Sequence, residues 1–195
     1  MESVPLNFCA AVISSLKKKP TLRKPLVHTL WNIAIRQNIT NAVHLTMTTI
    51  HCTNGVWLIY LHNMNNFTFR EIKHVIDRRY LRVTKITVAC SVKSAVSGAP
   101  NPKACTRSFA KLNEVAHFLR PYVNRAVLEI NGMDRISNIE DFLSIFKGSS
   151  FSTISLNGNP DRVANFIESQ LKSDCLEKLE VNGSDLVAKR MLKAS

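Results

Sequence analysis

The residues of this 195-residue chain that could do chemistry are few and poorly spaced for it. His44, His51 and His62 fall on two adjoining β-rich runs and could gather round a metal ion, but histidines so placed more often serve packing or surface roles. Glu71 and His74 stand three apart on a predicted helix, which by itself is only half of a carboxylate-bridged metal site. The cysteines Cys9, Cys52, Cys90, Cys105 and Cys175 are odd in number, scattered and free of any CxxC pair. Neither a zinc site nor a disulfide framework is expected from them, and reduced thiols in cytoplasm or nucleus are the simpler reading. The sequons at Asn38, Asn66 and Asn182 then count as chance matches. Glu140 and Asp141 read as charges that complement a helix start. There is no Gly-rich phosphate loop, GxSxG or HExxH. The expectation is a protein that is not an enzyme, with no cofactor and no metal.

Electrostatics offers more. The net charge is +12, but residues 1–125 carry +14 and residues 126–195 carry −2. The densest basic segment is Arg70, Lys73, Arg78, Arg79, Arg82 and Lys85, interleaved with Phe67, Phe69 and Tyr80. Basic groups supply phosphate affinity and aromatic faces can stack on bases, so this is the candidate patch for nucleic acid or an acidic partner. The same aromatics fit the apolar face of a helix equally well, and a charge run is more often a solvated face.

No apolar stretch approaches the roughly 20 residues that cross a bilayer, so no membrane partner is expected. Glu2 stands where a signal peptide would be basic, and the lysines at 17–19 follow the apolar run instead of preceding it, so secretion is not expected either.

The elements that must position these residues come in two parts, 1–40 and 41–195. Residues 3–38 read as helical, with Phe8, Val12, Ile13 and Leu16 at helical spacing and a second apolar series of Leu22, Leu26, Val27, Leu30 and Trp31. From Ala42, "AVHLTMTTI" and "VWLIYLH" are joined through Asn54-Gly55, a hairpin signal. A basic helix is predicted over 69–81, with Phe69, Ile72, Val75, Ile76 and Tyr80 on one face.

Beyond it, strand-like phrases alternate with helical stretches over 106–119, 136–146, 161–171 and from Ser184. Three phrases share an ending, "LEINGM" from Leu128, "ISLNGN" from Ile154 and "LEVNGS" from Leu179, at steps of 26 and 25 residues. "VTKITVACS", "FSTISLNGN" and "LEKLEVNGS" have apolar residues at positions one, four and six; the Leu128 phrase has Arg125 at its first. Strand, Asn-Gly turn, helix and strand again describe an α/β fold of βα repeats with parallel strands, stacked as a short open sheet or a curved solenoid. The pair is expected to take positive φ and turn the chain sharply. "SVKSAVSGAPNPKACT" breaks the period and reads as a loop insertion, its 91–105 portion of unassigned role.

The LxxLxLxxN pattern over residues 83–192 resembles irregular leucine-rich repeats, best matched by "FSTISLNGN" with Asn159 at the Asn position. Ser91, Met133 and Ser184 occupy that position elsewhere, so an internal asparagine ladder is not expected.

"VPLNFCAAVISSLKKKPTLRKPLVHTLWNIAI" in turn resembles an F-box. Val4-Pro5 stand at its Leu-Pro, Val12, Ile13 and Leu16 on its first helix, Leu22 at the next apolar position, then Val27 and Trp31. Leu6 and Asn7 replace the acidic residues that often follow the proline. The layout is similar to the divergent nematode F-box-related families. That resemblance implies a non-catalytic substrate receptor. Pro5, Leu6, Val12, Leu16, Leu22, Val27 and Trp31 would bind the Skp-type adaptor of a cullin-based (SCF) ubiquitin ligase, and the repeats would hold an unknown protein substrate. The alternative is a basic nucleic-acid-binding or scaffold protein without a ligase role.

Overall fold

A computed structural model describes residues 8–9, 12–13, 29–53, 55–62, 69–74, 77–91 and 109–182. Phe8, Cys9, Val12 and Ile13 are helical, and the first complete element is helix α1, Thr29–Asn41. There follow strands β1 (Val43–Cys52) and β2 (Trp57–His62), helix α2 (Phe69–His74) and strand β3 (Leu81–Ser91). Three helix–strand units complete the described chain: α3 (Phe109–Leu119) with β4 (Val123–Asn131), α4 (Ile139–Ile145) with β5 (Ser150–Asn157), and α5 (Ala164–Leu171) with β6 (Lys178–Asn182).

The fold is α/β. One six-stranded sheet runs in the order β2-β1-β3-β4-β5-β6, with β1–β2 antiparallel and every other pair parallel. The hairpin forms as the sequence signalled: Gly55 takes φ +76° and its N–H donates to the Cys52 carbonyl at 2.9 Å. The repeats stack in phase. Ile86, Leu128, Ile154 and Leu179 lie side by side across four strands, as do Val88, Ile130, Leu156 and Val181. These are the fourth and sixth positions of the strand phrases.

A strand sends alternate side chains to opposite faces, so these rows share one side. Helices α3, α4 and α5 bury Leu112, Val115, Leu119, Phe142, Leu143 and Ile167 in the same core. Each such side chain contributes roughly 1.5–3 kcal/mol by leaving water. An aromatic seam crosses this core, with ring centroids at 6.2 Å for Trp57–Phe142, 5.4 Å for Phe142–Phe146, 6.4 Å for Phe146–Phe151 and 5.9 Å for Phe151–Phe166.

Several local expectations are corrected. The helix predicted over 69–81 ends early. Asp77 caps a separate 3-10 turn, Arg78–Tyr80, by accepting from the Arg79 N–H, and β3 already begins at Leu81. Leu81 is fully buried, and that core position draws the chain into the sheet, leaving Tyr80 off the helix. The helices predicted from 136 and 161 begin at Ile139 and Ala164, each preceded by a 3-10 turn. Arg125, which the sequence already set apart at the first position of its phrase, stays outside the core. It takes φ +54° in a bulge that lets Val123 and Ala126 point inward, and its guanidinium pairs with Glu177. At the Asn-Gly turns glycine alone takes positive φ, +71° at Gly132 and +123° at Gly158, while Asn131 and Asn157 stay in strand conformation. Asn54, most of the 91–105 loop, Gly183 and the final helix from Ser184 lie outside the described residues.

Candidate functional site

All three long helices of the repeats contribute to one core on one side of the sheet; the opposite face carries Tyr60 of β2, buried, and otherwise mostly half-buried or exposed strand residues. Three rows cross it in register. The first runs Thr46, Lys85, Val127, Thr153, Lys178. The second runs Thr48, Thr87, Glu129, Ser155, Glu180, and the third Ile50, Ala89, Asn131, Asn157, Asn182. Charges on this face neutralise one another: Lys85 Nζ sits 2.7 Å from Glu129, and Lys178 Nζ 2.6 Å from Glu180. The Lys178 ammonium, with the Ser155 hydroxyl, holds the Glu180 carboxyl below its ordinary value.

The basic segment is divided by the fold. Lys85 belongs to the sheet face, whereas Arg70 and Lys73 ride on α2 and Arg78 and Arg79 on the 3-10 turn. Lys73 reaches Glu114 at 3.4 Å, alongside Lys111 at 2.5 Å, and both ammoniums, Lys111 first, pull the Glu114 pKa down. Arg79 grips Asp77 with a fork of hydrogen bonds, the shortest 2.7 Å, which lowers the Asp77 pKa and raises that of Arg79. Arg82 turns back on its own backbone, donating to the carbonyls of Arg79 and Leu81 at 2.8 and 2.7 Å, and its half-burial lowers its pKa. Arg78 lies over the Phe118 ring at 5.6 Å. The aromatics are engaged as well: Phe69 meets Phe118 edge-on at 5.5 Å, and Tyr80 lies under Arg79. Phe67 lies outside the described residues.

Of the adaptor-binding candidates, Val12 and Trp31 are described, both partly buried. Trp31 packs with Leu30 against a small cluster of Cys9, Ile13, Ala34 and Ile35, separate from the main core. Pro5, Leu6, Leu16, Leu22 and Val27 lie outside the described residues. Phe8, Ile33 and Ile39 expose 55%, 38% and 50% of their surface, and among the described residues the only other large exposed apolar side chain is Leu171.

The three hairpin histidines do not converge. His51 is buried, meets the Trp57 ring at a tilt with centroids 4.9 Å apart, and its Nε2 lies 2.9 Å from the Ser137 hydroxyl. This Ser–His contact links the end of β1 to the turn after β4, and no spacing in the sequence points to it. Its buried Nδ1 has no hydrogen-bond partner among the described residues. Among the described residues no three metal-binding side chains cluster, and no helix is long and apolar enough to cross a membrane. Set beside family models, curated proteins and solved structures, the chain matches none of them.

Proposed function

We propose that the chain is a non-catalytic, substrate-recruiting adaptor of an SCF-type ubiquitin ligase. Its F-box-like N-terminal segment binds the Skp-type adaptor, and its repeats bind a protein substrate on the open sheet face. One observation carries this reading: three of the four large apolar side chains exposed among the described residues, Phe8, Ile33 and Ile39, fall in the helical segment before the sheet. Apolar surface concentrated on one helical segment fits a groove-forming protein partner, with a large aromatic such as Trp31 as anchor. A cytoplasmic or nuclear setting agrees with the free thiols of Cys9, Cys52, Cys90 and Cys175.

A nucleic-acid-binding or scaffold role is the alternative. Arg70 and Arg78 favour it, but the pairing of Lys73, Arg79 and Lys85 with carboxylates weakens it.

The test is binding of the purified chain to a Skp-type adaptor by calorimetry, with Trp31→Ala and the exposed double variant Ile33→Ser/Ile39→Ser alongside. Micromolar or tighter binding, lost in variants whose circular dichroism is unchanged, supports the proposal. A folded wild type that does not bind overturns it.

A further inference from the structure

The asparagine that recurs in the three phrases serves no conformational need of the fold. Glycine takes the positive φ at the turns, and the only other residues with positive φ among those described are Arg125 and Asn138. Asparagine is disfavoured in strands, yet Asn131, Asn157 and Asn182 are each the last residue of a strand. They are neighbours in register across β4, β5 and β6. All three are exposed, and none of their carboxamides has a hydrogen-bond partner among the described residues. The fold therefore presents three unpaired carboxamides in one line on the open face, continued across β3, β1 and β2 by Ala89, Ile50 and Leu58.

From this we infer that the row is a docking track for an uncharged, extended polypeptide segment that crosses the strands and is held by its backbone. The inference rests on the substrate-receptor reading and names the class of substrate element.

A carboxamide both donates and accepts, so it matches the alternating N–H and C=O groups of a backbone. Parallel strands lie about 4.8 Å apart, so Asn131 and Asn182 stand roughly 9.6 Å apart, close to the ~9.3 Å turn of a polyproline II helix. That conformation leaves its backbone groups unpaired and available. The apolar half of the row, Ile50 and Leu58, would receive one apolar side chain of the segment.

Charge decides against other ligands. The carboxylates beside the row, Glu129 and Glu180, are already matched by Lys85 and Lys178 from the row beyond, so a charged ligand would have to break those pairs. Among the described residues no aromatic ring stands in the row itself, and Tyr60 in the adjacent row is buried, so the row gives no stacking platform for bases or sugar rings.

The experiment selects binders from a phage-displayed library of random linear 12-residue peptides on the full chain, then measures the winners as synthetic peptides. The expected result is peptides whose affinity drops about tenfold or more with Asn131→Ala/Asn157→Ala/Asn182→Ala, and drops similarly when their own backbone amides are N-methylated. Asn131→Asp/Asn182→Asp keeps shape and acceptors but removes donors and adds charge, so it should also weaken binding, with circular dichroism unchanged. Trp31→Ala should leave peptide affinity intact, which separates this test from adaptor binding. Three outcomes overturn the inference: no peptide enriched, peptides indifferent to the asparagines or to N-methylation, or single-stranded RNA or an oligosaccharide bound through the same three asparagines.

Discussion

Gly158 lies so close to Met133 that a Cβ on the glycine would stand 3.0 Å from the Met133 Cβ and 3.1 Å from its backbone nitrogen. The turn after β5 is pressed directly onto the turn after β4. At φ +123° the backbone conformation also excludes ordinary side chains. Gly158→Ala should cost roughly 1–3 kcal/mol in urea denaturation. Gly55, at φ +76° with open space around it, supplies the control: Gly55→Ala should lose only about 1–2 kcal/mol, from backbone strain alone. Equal losses would mean that the contact between turns contributes nothing.

The seam of rings predicts where the core is most sensitive. Phe142 is fully buried between Trp57 and Phe146. Phe142→Ala should destabilise the protein by about 3–5 kcal/mol, whereas Phe142→Leu should lose markedly less, because it refills most of the cavity. Thermal and urea unfolding of the pair measures this.

Arg162 joins neighbouring repeats. It donates to the carbonyls of Met133 and Ile136 at 2.9 and 3.0 Å and meets Glu140 at 3.0 Å. Removing it leaves two backbone acceptors with one partner fewer. Arg162→Ala should cost roughly 1–3 kcal/mol, and Arg162→Lys should recover only part of it, since an ammonium cannot reproduce the planar fork. Because the carbonyl bonds do not depend on a charge pair, the loss should persist in high salt; a loss abolished by salt would assign the effect to Glu140 alone.

Acid should weaken the fold in a defined window. Asp77, Glu114 and Glu180 are held below their ordinary values of 3.8, 4.5 and 4.5 by hydrogen bonds from Arg79, Lys111 and Lys178. The unfolded chain therefore binds protons first as pH falls. Their stabilisation is complete above the ordinary values and is lost as pH drops through the lower, folded ones. The urea midpoint should hold from pH 7 to about 5 where these groups are concerned, then fall toward pH 3. Glu180→Gln should flatten part of that slope, and 1 M salt should flatten more of it by screening these exposed pairs.

The order of residues alone makes the α/β class, the hairpin at Gly55 and the phasing of the repeats legible. Ile86, Leu128, Ile154 and Leu179 are legible as one row because side-chain alternation with a period of two is local chemistry, and a one-residue slip would expose every member. It also singled out the repeated Asn-Gly, but its reason for the asparagine was mistaken: glycine suffices for the turn, and only the strand register shows three carboxamides side by side. The basic segment looked continuous because sequence adjacency hides direction. Asp77 and the buried Leu81 break it into a turn and a strand, sending Lys85 to the sheet face and Arg82 back onto its own backbone. Arg125 could not be placed from its neighbours, since its bulge answers to the packing of Val123 and Ala126 against the core. His51 and Ser137, 86 residues apart, meet only because the strand order puts β1 two places from β4. Local periodicity is written residue by residue along the chain, whereas these contacts depend on which strand lies beside which, and that order is fixed only when the whole core is buried.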